Sequence, residues 1–235
     1  MHPRPVWRQR QRRPNARWPS IPIWPKRTWP QGTSFYHYDQ LYDRRNVGYH
    51  GPTFAYASMP DQFVLTALQR LELSKRPRPP VFAEIDLVSS HTPWTRIPHL
   101  LAPSQVGDGS VYNTAPIDAT TKSALWSDHA RVRAAYGRSI QYTLDSLVSY
   151  VQRYGTDKTV LIVLGDHQPA TIITGQQPSH DVPISIIAQD PAVLRQIAGW
   201  GWGNGLRPSP HAPVWPMSAF RNRFLSAFGS QPATR

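Results

Sequence analysis

The amino-acid sequence predicts an α/β protein, layered α/β/α with a mostly parallel sheet, and three observations carry that prediction. The run TVLIVLG (159–165) is unbroken, apolar and β-rich, the pattern of a strand covered on both faces. It follows an amphipathic segment in which Ile140, Leu144, Leu147, Val148 and Val151 form one apolar stripe and Gly155 stands where a helix stops. A second apolar run, VPISIIA (182–188), comes next, and the succession strand, helix, strand, strand, helix is the order of a layered α/β domain.

The chain opens on a segment of different texture. Residues 1–28 carry eight Arg and Lys and no acid, which leaves 18 basic and 14 acidic residues in the rest, so most of the formal charge of +12 sits in this arm. The arm, residues 1–32, is dense in Pro and Trp and shows neither helical nor strand periodicity, as a disordered segment does. Interleaved Trp and Arg supply the chemistry of a nucleic-acid-binding arm, although nucleic acid is not the expected partner.

A folded domain is expected over 33–228, with a short tail at 229–235. Ser58 and Asp61 fit a helix-start box around Pro60, and Val64, Leu68 and Leu71 recur at helical spacing, so a helix is expected at 60–75. KRPRPP breaks it, VFAEIDLVSS (81–90) reads as a strand, and an irregular stretch at 92–124 includes the turn VGDGS. After the two apolar runs, Asp190 is placed to cap the short helix DPAVLRQIAG, and PMSAFRNRFLSAFG supplies a closing amphipathic helix. With 235 residues, 40% of them hydrophobic, the chain is long enough to bury a core. The absence of Cys excludes disulfides and thiolate chemistry. No apolar run approaches the roughly 18 residues of a membrane span, and the N-terminus has no signal-peptide core.

Ligands of open α/β sheets bind beyond the carboxyl ends of the strands, where Gly165, Asp166 and His167 stand. A carboxylate beside a neutral imidazole suits a divalent cation; the alternative is an Asp that caps a turn beside an ordinary loop His. His91, at the end of the 81–90 strand, and His180, just before the 182–188 strand, are also at strand boundaries. His2, His37, His50, His99, His129 and His211 have no such setting.

Taken in order, FYHYDQLYD, MPDQFVL, EIDLVSSHTPW, VLIVLGDHQP and SHDVPISIIA resemble the C-terminal half of the sulfatase-like catalytic domain of the alkaline phosphatase superfamily. The nearest branch is the membrane-anchored one of lipoteichoic acid synthases and phosphoethanolamine transferases, and the resemblance covers about 33–228. It implies a divalent cation, Mn or Zn, held by Asp166 and His167, and a catalytic contact from His91 to the transferred group. It implies for His180 a second metal position or a substrate contact. The implied reaction is phosphoryl or sulfuryl transfer from a phosphate or sulfate ester, phospholipid head groups included. The family domain faces outside the cytoplasmic membrane on helices that this sequence does not contain, so its compartment stays open.

The family's first acidic ligand and its Thr or Ser nucleophile have no match in residues 1–32. The resemblance therefore implies a truncated copy without nucleophile or first core strand, and an open sheet edge. Ser89, Ser90, Thr92, Thr171 and Thr174 are the hydroxyls near the matched motifs. Two other readings stay open: a non-catalytic module of the same fold, and nucleic-acid binding through the arm.

Overall fold

Residues 20–24 and 35–229 are described by the structure, a computed structural model. They form a mixed α/β protein with two compact units. One runs to Tyr154 and includes Pro169–Ile173; the other comprises Gly155–Gln168 and Thr174 onward. Of the basic arm, 1–19 and 25–32 lie outside the described residues, as do 230–235 of the tail.

In the first unit, β1 (Ser20–Trp24) lies between β2 (Tyr42–Asp43) and β3 (Phe82–Ile85), with both pairings parallel. Ile23 is opposite Tyr42 on one side and Ile85 on the other, and it is fully buried. It enters a core with Val47, Phe54, Met59, Phe63, Val64 and Tyr112. This corrects the expectation of no strand in 1–32: the Ile21 and Ile23 alternation is short and is masked in sequence by flanking Pro, Trp and Arg.

Helix α1 (Asp61–Leu68) buries every residue but Thr66 and continues as a π-helical turn, Gln69–Leu73. Its extent matches the expected 60–75 helix, but its cap does not. Pro60 is the N-cap without a side-chain bond, and the buried Ser58 hydroxyl has no partner among the described residues. Asp61 is used elsewhere. Its carboxylate accepts the Ser89 N–H at 2.9 Å and the Thr143 hydroxyl at 2.6 Å, while its own N–H donates to Ser89 Oγ at 3.0 Å. The exchange with Ser89 is a capping box closed over 28 residues instead of three. Beside it, Gln62 Oε1 accepts from the Leu101 N–H and the Tyr112 hydroxyl, and Gln62 Nε2 donates to the Leu101 carbonyl at 2.6 Å.

The stretch expected to be irregular holds an antiparallel pair, β4 (Arg96–Pro98) with β5 (Ile117–Ala119), each strand too short to register as a pattern. Helix α2 (Lys122–Trp126) is capped by Thr121 Oγ1. Helix α3 (His129–Tyr154) stops just before Gly155, as expected. Its phase differs from the apolar stripe. The buried face runs through Val132, Ala135, Ser139, Tyr142, Ser146, Leu147 and Tyr150, and Val148 is 47% exposed. Small and aromatic polar residues face a core that includes Trp94, Ile97 and Leu125, so an aliphatic count misplaces the face by part of a turn.

The second unit contains β6 (Val160–Leu164) and β7 (Ile184–Ala188). They pair antiparallel, with Leu164 opposite Ile184. The described strands therefore form three separate sheets, two of them antiparallel, and not one mostly parallel sheet. The unbroken apolar run misled because β6 is half-buried along its centre and exposed at both ends, with Leu164 at 48%. A single turn, α4 (Thr171–Thr174), interrupts the connection between the two strands. Helix α5 (Pro191–Arg195) is capped by Asp190, which accepts from the Ala192 N–H at 2.8 Å, and α6 (Met217–Phe228) closes the described chain; both match expectation.

Burial pushes the Asp61 carboxyl pKa up, and its hydrogen bonds offset this only in part. An acid whose folded value is raised stabilises the fold most below the ordinary carboxylate range. That contribution is lost as pH rises from the unfolded value to the raised folded one. Urea unfolding should accordingly show Asp61→Ala losing about 2–4 kcal/mol, because two buried donors lose their acceptor. Asp61→Asn should lose less and should flatten the fall in stability above the ordinary carboxylate range; an unchanged pH slope would refute the assignment.

Candidate functional site

Asp166 and His167 follow β6 directly. The ladder between β6 and β7 extends one step past the strands, with the Gly165 N–H on the Pro183 carbonyl at 3.2 Å. A Cβ at Gly165 would meet Val182 Cβ at 3.4 Å, so the two chains lie in contact at this end. The acid and the imidazole then leave the strand on a short exposed loop, with side chains 89% and 65% exposed.

The hydrogen bonds of His167 decide what its ring offers. Nδ1 lies 2.8 Å from the Gln168 carbonyl. A carbonyl only accepts, so Nδ1 carries a proton and the neutral ring keeps its lone pair on Nε2. That Nε2 is 3.5 Å from Asp166 Oδ2. Two lone-pair donors therefore converge. Tetrahedral ligands at about 2.1 Å from a metal are about 3.4 Å apart, so the pair is spaced as two ligands of one cation would be. The same spacing suits a shared proton when the ring is charged. Asp166 Oδ1 accepts the His167 N–H at 2.9 Å, which fixes the carboxylate.

Gln168 is the residue that sequence reading passed over. Its carbonyl orients His167, and its Nε2 donates to the Asp181 carbonyl, tying this loop to the one that carries His180. Its only sequence signal is its position, between the imidazole and Pro169. His180 is exposed at the root of β7, beside Asp181, whose N–H is held by Ser179 Oγ at 3.0 Å. The hairpin thus brings Asp166, His167 and His180 to one end of the β6–β7 pair. His180 does not complete a metal cluster: among the described residues no group of three or more His, Asp or Glu side chains is arranged to hold a metal ion.

His91 belongs to the first unit, in the loop after β3. Its N–H closes a turn on the Val88 carbonyl at 3.0 Å, and its ring stacks on Tyr56 with centroids 3.5 Å apart. Nδ1 meets the Thr92 carbonyl at 2.8 Å, so His91, like His167, presents Nε2 when neutral. Of the nearby hydroxyls, Ser89 is engaged with Asp61 and Thr174 donates to the Gly175 carbonyl.

No helix among the described residues is long and apolar enough to cross a membrane. Comparison with family models, curated proteins and solved structures finds no match to this chain.

Nitrogen-15 spectra of the imidazoles check the geometry. Neutral His167 and His91 should both carry the proton on Nδ1, and a His167 protonated on Nε2 would remove the lone pair on which the site depends.

Proposed function

We propose that the chain is a divalent-cation-dependent phosphoryl or sulfuryl hydrolase or transferase of the sulfatase-like kind, with Asp166 and His167 as cation ligands. The observation that carries this reading is the convergence of Asp166 Oδ2 and His167 Nε2 at 3.5 Å, with the other imidazole nitrogen committed to a backbone carbonyl. The donor set, one hard oxygen and one imidazole, fits Mn or Zn, with the remaining positions left to water, substrate or other groups. A cation there supplies charge neutralisation for a phosphate or sulfate ester, phospholipid head groups included. Asp166 offsets cation charge, and His167 is held in its ligating tautomer by Gln168. His180, at the same end of the β6–β7 pair, is a substrate contact or a second cation ligand. In the transfer an acceptor hydroxyl or water forms the new bond to phosphorus or sulfur as the ester oxygen leaves with a proton.

The lack of a third carboxylate or imidazole beside the pair among the described residues favours a second reading, a non-catalytic module of the same fold.

Calorimetry with Mn²⁺ and Zn²⁺ should show binding that weakens at least about tenfold in Asp166→Ala and in His167→Ala. Equal affinity in all three chains would sink the proposal. Turnover of p-nitrophenyl phosphate or sulfate on the same samples separates the readings: turnover supports the enzyme, and binding without it supports the module.

A further inference from the structure

From Pro191 to Gly229 the chain has four arginines, Arg195, Arg207, Arg221 and Arg223, and no acidic residue. All four are exposed, and none forms an ion pair among the described residues. The same stretch builds an aromatic cluster. Trp200, Trp202 and Trp215 have ring centroids 5.1–5.6 Å apart. Phe220 stacks on Trp202 at 14°, and Phe224 and Phe228 continue the line along α6 with centroid steps of 5.8 and 4.8 Å. None of these rings is buried. Aliphatic side chains stand out from the same segment: Val214 is 70% exposed, Met217 53%, Leu206 48% and Leu194 42%.

Three chemistries use tryptophan beside arginine, and the geometry separates them. A quaternary ammonium cage needs open space between its rings. Here a cation at the centre of the three tryptophans would sit only about 3 Å from each centroid, inside ring contact, so the cluster is closed to one. Single-stranded nucleic acid uses ring faces and cations, but exposed Val, Met and Leu offer it neither stacking nor a donor. An anionic bilayer uses all three features: aliphatic groups enter the acyl region, Trp and Phe lie at the head-group boundary, and unpaired arginines meet lipid phosphates. The Arg223 guanidinium, 4.2 Å from the Trp215 centroid, joins the aromatic and cationic parts. Beside it opens a recess of about 490 Å³ lined in part by Gln196, Asn222 and Ser226, polar groups suited to a head-group phosphate.

We propose that this acid-free segment of the second unit, Pro191–Gly229, docks on an anionic phospholipid bilayer. It includes neither Asp166 nor His167 and stands or falls without them.

The test is vesicle flotation of the full chain with phosphatidylcholine alone and with phosphatidylglycerol added. Capture by the anionic vesicles should weaken with salt. It should fall at least about fivefold both in Val214→Asp/Met217→Asp and in Arg221→Glu/Arg223→Glu. These four side chains are exposed, so circular dichroism and the melting temperature should match the parent chain. The basic arm is identical in all samples, so capture unchanged in both double variants would assign it to the arm and overturn the proposal. Lipids brominated in the acyl chains should quench tryptophan emission, with part of the quenched signal lost in Trp215→Phe; emission untouched by bromine would also overturn it. So would retention of a single-stranded oligonucleotide, lost in the same variants, without vesicle capture.

Discussion

One buried carboxylate, that of Asp61, joins three distant segments of the first unit. Asp61 is fully buried, and among the described residues its carboxylate forms no ion pair; hydrogen bonds, chiefly from Ser89 and Thr143, offset its burial. An unsatisfied buried charge costs several kcal/mol, so these bonds must form together with the burial of α1. The segments they join are 28 and 82 residues away from Asp61 in sequence. One side chain therefore sets where the loop after β3 meets the start of α1 and how α3 lies against both. Gln62 repeats the device one position on, tying Leu101 and Tyr112 to the same helix end. His91 inherits its position from this arrangement, because Ser89, two residues earlier, is the anchor of its loop.

In the second unit the constraint is a ladder and not a buried charge. The β6–β7 pair closes as far as Gly165 and Pro183, and everything beyond that step is exposed loop. Asp166, His167 and His180 owe their shared location to strand register, while their orientations depend on local bonds, those of Gln168 above all. A stiff scaffold with a polar loop at its end is the common arrangement for binding groups that must meet solvent-borne partners.

What could be read in the sequence was what is local. Gly155 marks the end of α3, Asp190 caps α5, and Asp166 and His167 stand just past a strand, and each follows from a few consecutive residues. What could not be read depends on partners far away. The direction of β6 depends on β7, and an apolar run is silent on whether its neighbour is parallel or antiparallel. The use of Asp61 depends on residues 89 and 143, so a local capping box was the natural but mistaken reading. The buried face of α3 contains Ser139, Tyr142, Ser146 and Tyr150, which a count of aliphatic residues cannot see. β1 is five residues in a segment dominated by Pro and Arg, and only its two partners make it a strand.

The π-helical turn after α1 has a consequence for how this helix tolerates change in length. The Ser74 N–H bonds to the Gln69 carbonyl, five residues back, so the turn holds one residue more than an α-turn. That residue resets the angular phase of everything after it. With the phase reset, Glu72 is buried and meets the Tyr42 hydroxyl and Lys75, while Arg70 reaches the Val47 carbonyl at 3.1 Å. Removing one residue between Gln69 and Leu73 would restore a regular helix and turn these groups away from their partners. The contacts of Glu72 and Arg70 therefore make the extra residue of this turn a requirement of the fold and not a spare one.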